Sequence, residues 1–160
     1  MTNAGRSNGS RAMQLDDVSK AIIEELQLDG RRSYAAIGKV VGLSEAAVRQ
    51  RVQRLIDSGV MQVVAVTDPM ELGFARQAMI GIRTTGSLEP IADAVAALEE
   101  VDYVVITAGS YDLLVEVVCE SDEALLEVLS SKIRTIENVV STETFVYLQL
   151  RKQTYSWGVR

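Results

Sequence analysis

Leu15, Val18, Ile22, Ile23 and Leu26 recur at helical spacing, with Asp16 and Asp17 ahead of the run as caps and Gly30 as its stop. A shorter helix is predicted after Ser33, carrying Ile37, Val40 and Val41. Gly42-Leu43-Ser44 reads as a tight turn: glycine takes the left-handed conformation, leucine tucks inward, and serine caps the next helix. That third helix extends to about Asp57 and Ser58, with Gly59 as its stop. Its apolar stripe is narrow, formed by Val48, Val52, Leu55 and Ile56. A β-rich run comes next at 60–66, closed by Asp68-Pro69. Together these predict a winged helix-turn-helix over residues 14–62 and a linker strand over 63–74.

From Ala75 the pattern changes to β-α-β-β-α-β. Strands are predicted at 77–84, 102–108, 112–119 and 142–150, and helices at 90–98 and 122–136. The fold class is α+β, with a ferredoxin-like domain over 75–151, a disordered leader at 1–13 and a tail at 152–160. The strands do not alternate cleanly between apolar and polar. One face of 112–119 offers Leu113, Val115, Val117 and Cys119, and the other offers Leu114, Glu116 and Val118. The last strand offers Val146, Leu148 and Leu150 against Phe145 and Tyr147. The helices cover one face only, so the second is expected to pack on another copy, which predicts a homodimer. Arg83 and Glu116 read as a cross-strand ion pair, or one of them serves that dimer face.

A hydrophobic fraction of 48% supports a packed core and excludes general disorder. No apolar run is long enough to span a bilayer, and residues 1–12 lack the apolar stretch of a secretory signal. The single cysteine, Cys119, cannot form an internal disulfide and reads as a buried, inert thiol. These features point to the cytoplasm, with no membrane partner.

The net charge of −6 is wrong for a nucleic-acid binder until it is divided along the chain. Residues 1–63 hold nine Lys/Arg and seven Asp/Glu, a net of +2, whereas residues 64–160 hold seven and fifteen, a net of −8. The basic end contains the predicted third helix, whose polar side presents Ala46, Gln50, Gln53 and Arg54, flanked by Arg49 and Arg51. Guanidinium and carboxamide groups are the chemistry that reads guanine and adenine edges in the major groove. Ala46 and Ala47 keep the first turn slim enough to sit deep in the groove. Ser44 and Glu45 open the helix, Glu45 suiting its dipole and facing a base or solvent. Arg31, Arg32 and Lys39 are placed to hold backbone phosphates of double-stranded DNA.

The residues from Leu15-Asp16-Asp17 through Leu26-Gln27-Leu28-Asp29-Gly30-Arg31, then Gly42-Leu43-Ser44, Val48, Arg51-Val52, Leu55 and Gly59-Val60, closely resemble the Lrp/AsnC (feast/famine) family. Gly109-Ser110-Tyr111-Asp112 resembles the loop between the middle strands of that family's ligand-sensing RAM domain. The likeness spans about residues 14–151. It implies transcriptional regulation, dimers built through the RAM sheets and often assembled into octamers of four dimers, and a small-molecule effector such as a free amino acid. It also implies an effector site at Gly109, Ser110, Tyr111 and Asp112, with Thr142 and Thr144 from the final strand. Chemically, a Gly-Ser turn can offer N–H groups to a carboxylate, Asp112 can accept from an ammonium, and the two threonines can supply hydroxyls. A plain tight turn likes the same residues.

Two other classes stay open on sequence: an effector-free architectural DNA-binding protein, and an Lrp-like enzyme of the kind that resembles this architecture and acts in haem-precursor decarboxylation. Histidine matters in that reaction, and the chain contains none. There is also no Ser/His/Asp set, metal-ligand cluster or phosphate-cradling glycine loop, so no catalytic residue, metal or cofactor is expected.

Overall fold

The computed structural model describes residues 15–160, and the leader expected at 1–13 lies outside the described residues. The described residues divide into two compact units, one of residues 15–66 joined by 152–160 and the other of residues 67–151.

In the first unit, α1 (Asp17–Leu28) starts where the Asp16 carboxylate accepts the Ser19 N–H at 2.8 Å. Ser33 and Ser44 cap α2 (Tyr34–Val41) and α3 (Glu45–Asp57) through the N–H groups of Ala36 and Ala47. Gly42 holds φ at 72°, the left-handed geometry that ends α2 and lets Leu43 turn inward. Ile22, Leu26, Ile37, Val48 and Val52 form the core that fixes α3 against its neighbours. Burying each of these side chains contributes about 1.5–3 kcal/mol. Gly38 explains how closely α2 meets the turn, because a Cβ there would stand 2.4 Å from the Leu43 carbonyl oxygen.

The expected wing and linker strand are not formed. Residues 61–68 carry no ladder, and Pro69–Leu72 is a short 3-10 turn capped by Asp68. The β-branched run has the side chains of a strand, but a strand also needs a backbone partner, and none pairs with it among the described residues.

The second unit has the predicted order: β1 (Arg76–Thr84), α4 (Leu88–Ala96), β2 (Val101–Ile106), β3 (Leu113–Cys119), α5 (Asp122–Glu127) and β4 (Val139–Val146). α5 continues as π-helical turns over Val128–Ile133. The sheet is antiparallel with spatial order β2-β3-β1-β4, the ferredoxin-like arrangement. The last strand begins and ends earlier than the predicted 142–150. Ala78 faces Val146 near the start of β1, so the ladder runs out beyond that point, leaving Leu148 96% exposed.

Ala78, Ile80 and Ile82 of β1 and Leu113, Val115, Val117 and Cys119 of β3 pack against Ile91, Val95, Leu125 and Ile133 of the helical layer. The other face of the sheet carries Gln77, Met79, Gly81 and Arg83 of β1 beside Leu114, Glu116 and Val118 of β3, with Glu143 and Phe145 of β4. The described helices leave this face open. Arg83 and Glu116 do not pair across it: Glu116 stands opposite Met79, four positions from Arg83, and its carboxylate accepts from Gln77 Nε2 at 2.9 Å.

Candidate nucleic-acid interface and sensor loop

The turn and its two serine caps aim α3 so that Val48, Val52 and Leu55 are buried while Ala46, Arg49, Gln50, Gln53 and Arg54 face outward. Arg49 bonds Glu45 at 2.8 Å and lies over the Tyr34 ring at 5.2 Å. Both members of that ion pair are more than half exposed, so it holds Arg49 weakly and releases it readily to a stronger anion. Gln53 donates to Asp57 at 2.7 Å, and Arg54 reaches back to the Gln50 carbonyl at 3.4 Å. The Gln50 carboxamide has no side-chain partner among the described residues.

Arg51 differs from its neighbours. Its guanidinium turns back to α1, 2.6 Å from Asp16 Oδ2 and 3.2 Å from Ser19 Oγ. Hydrogen bonds from Ser19 and then Arg51 hold the Asp16 carboxyl well below the usual carboxylate range. Arg51 therefore clips α3 to the start of α1. Of the expected phosphate contacts, Arg32 pairs with Glu25 at 2.6 Å and is half-buried, whereas Arg31 and Lys39 are exposed.

The loop before β3 is tied down rather than open. Asp112 Oδ2 accepts the Thr84 N–H at 2.7 Å and sits 3.4 Å from the Thr84 hydroxyl. The backbone of Asp112 bridges Ile82 and Thr107, with N–H to O distances of 2.9 Å on both sides. The Tyr111 ring lies flat on Gly81, where a Cβ would stand 2.6 Å from it, and its hydroxyl donates to Glu143. Arg83 donates to the Ser110 carbonyl at 2.9 Å and stands over the Tyr111 ring at 5.3 Å. Phe145 meets the same ring edge-on, with centroids 6.2 Å apart.

Gly109 and Ser110 are exposed, and with Tyr111 and Asp112 they form one compact loop. Thr142 and Thr144 do not join it. They occupy the strand positions opposite Ile82 and Ile80, on the helix side, whereas Tyr111 meets the open side. Thr142 Oγ1 accepts from Arg134 at 2.9 Å. Gly81, Arg83 and Glu143 converge on Tyr111 only through strand register, which leaves no signal in the sequence.

Among the described residues no cluster of side chains could hold a metal ion, and no helix is long and apolar enough to cross a membrane.

Residues 15–56 match an AsnC-type helix-turn-helix domain, and residues 77–157 match an Lrp/AsnC ligand binding domain. An uncharacterized HTH-type transcriptional regulator of Pyrococcus furiosus is 33% identical over 144 residues, spanning 89% of this chain and 97% of that one. The regulatory protein AsnC of Escherichia coli is 33% identical over 139 residues, covering 84% of this chain and 91% of its own. The crystal structure of the Mycobacterium tuberculosis leucine response regulatory protein aligns with a TM-score of 0.77 at 30% identity, over 87% of this chain and 96% of that one.

Proposed function

From the premise that this chain belongs to the Lrp/AsnC family of DNA-binding transcriptional regulators, we propose that Arg49, Gln50, Gln53 and Arg54 read base edges from α3. The observation that carries this reading is the exposed Arg/Gln face of α3, with the Gln50 carboxamide uncommitted at its centre. Ala46 lets the first turn approach the groove, and Ser44 and Glu45 fix its start. Arg31 and Lys39 take phosphates, with Arg32 orienting that loop through Glu25.

The open sheet face covers that of a second copy, making a dimer that presents two recognition helices to half-sites about one or more helical turns apart. Assembly into an octamer of four dimers extends the same arrangement. The effector is a free amino acid bound beside the Gly109-Ser110-Tyr111 loop. Arg83 stands over the Tyr111 ring and Glu143 accepts from its hydroxyl, and the two suit the amino acid's carboxylate and ammonium. Asp112 holds the loop rather than the ligand. Binding shifts DNA affinity only by the effector's differential affinity for the two assemblies or head orientations. The protein works in the cytoplasm, with double-stranded DNA.

Footprinting tests the helix: Arg49→Ala, Gln50→Ala and Gln53→Ala together abolish site preference while the sedimenting species stays unchanged. An unaltered footprint contradicts the assignment. A thermal-shift panel of amino acids tests the sensor, since a ligand that binds the folded state alone raises Tm by an amount that grows with the logarithm of its concentration relative to Kd. No shift with any of them favours an effector-free regulator.

A further inference from the structure

We propose that the segment 152–160 is a third part of the DNA interface, in which Lys152 and Arg160 contact backbone phosphates flanking the site read by α3. This rests on the DNA-binding reading of that helix.

The segment belongs to the helical unit, not to the sheet that it follows in sequence. The Gly158 N–H donates to Gln27 Oε1 on the last turn of α1 at 3.1 Å. Tyr155 and Trp157 stand edge to face, with centroids 6.4 Å apart. They line a groove of about 650 Å³ together with Leu26, Gly30 and Val64. That anchorage puts the segment next to the α1–α2 connection. From Gly30 the chain passes directly to Arg31, Ser33 caps α2, and Tyr34 touches Arg49 of the recognition helix. The segment thus lies beside Gly30, whose chain neighbour Arg31 is already assigned to DNA.

Charge points the same way. The segment contains Lys152 and Arg160 and no acidic residue. Including it, the described part of the helical unit, residues 15–66 and 152–160, has nine Lys/Arg and seven Asp/Glu, a net of +2, against −10 for residues 67–151. In the described part of the helical unit, Arg32, Arg49 and Arg51 are held in ion pairs. Lys20, Arg31, Lys39, Arg54, Lys152 and Arg160 are not, so the segment supplies two of the cations most available to a polyanion. A phosphate contact carries no sequence information but fixes register on the duplex.

The test is the salt dependence of full-length protein on duplex DNA, comparing wild type with Lys152→Ala/Arg160→Ala, which keeps Tyr155 and Trp157. Each lost phosphate contact lowers the slope of log K against log salt by about 0.9. The double variant is expected to lose about 1.8 in slope, with specific and non-specific affinity falling alike. Between about 50 and 200 mM salt, wild type then loses roughly tenfold more affinity than the variant. Trp157 is the only tryptophan, so its emission gives a second readout, expected to change when duplex is added to wild type. An unchanged slope with unchanged Trp157 emission overturns the proposal. So does a change in sedimentation of the free variant, which would assign the segment to a second copy. Wild type that binds no duplex refutes the reading of α3 itself, a result separable from a failure of the segment alone.

Discussion

Replacing Gly38 with alanine sets two effects of opposite sign against each other. Alanine in a helix interior is favoured over glycine by about 0.5–1 kcal/mol, so on propensity alone the substitution stabilises. The new Cβ, however, would lie 2.4 Å from the Leu43 carbonyl oxygen, a backbone atom in the turn that aims α3. Leu43 cannot rotate away as a side chain would, because its own N–H donates to the Gly38 carbonyl at 2.9 Å. Overpacking of this kind costs about 1–3 kcal/mol, and a rigid opposing atom puts it toward the upper end. The net expectation is a loss of about 1–2 kcal/mol, with Tm of the helical unit falling by roughly 4–8 °C per kcal/mol. Thermal melts give the first number, and duplex affinity on a sample kept folded gives the second. Displacing the turn also tilts α3, so specific affinity should fall more than non-specific affinity. Gly30→Ala is the control, because its nearest neighbour would be 3.9 Å away, and it should be close to neutral. A Gly38→Ala protein that melts higher and binds normally would refute the close-approach argument.

On the sensor side, Gly81→Ala drives a Cβ into the Tyr111 ring and should cost about 1–3 kcal/mol in denaturant titration. Most of that cost should vanish in a Tyr111→Ala background, whereas strict additivity would show that the two do not touch. Asp112→Ala should lower stability by about 1–3 kcal/mol by leaving the Thr84 N–H unmatched, and effector affinity measured on the folded variant should persist. Tyr147 is held up at about 12, by burial first and the Glu116 charge second. A raised phenol favours the fold while it stays protonated, so that stabilisation is intact below pH 10 and fades as pH climbs to about 12. Glu116→Gln should move the phenolate absorbance titration back toward 10, and an unmoved curve contradicts the Glu116 contribution. Burial pushes the Cys119 thiol up, so it should resist a thiol reagent until the second unit unfolds.

The helices and the order of strands were legible because local chemistry decides them. Asp16, Ser33 and Ser44 all cap where their side chains suggest, and Gly42 takes the left-handed turn. Features that depend on partners were not legible. The run 60–66 has the composition of a strand and lacks a ladder, and β4 stops where β1 stops rather than where its apolar side chains do. Arg83 and Glu116 looked like a pair until register set them four positions apart. The recognition face was readable because helical spacing fixes which residues share a side, yet Arg51 proved to clip α3 to α1 through Asp16. In the sensor the loop was readable as a motif. The crossing of Tyr111 onto Gly81 depends on a residue with no side chain, which leaves no pattern to find. The return of residues 152–160 to the helical unit is likewise a tertiary fact with no local signal.

On the proposed reading the outward face of α3 recognises DNA sequence. Selection from a pool of random duplexes tests it most directly, with wild type and the Arg49→Ala/Gln50→Ala/Gln53→Ala variant compared side by side. Wild type is expected to enrich a pseudo-palindrome whose half-sites are about one helical turn, or a multiple, apart. The variant should bind the pool with little enrichment, each lost base contact removing about 1–3 kcal/mol of discrimination. Recovery of the same consensus by both proteins would contradict the account.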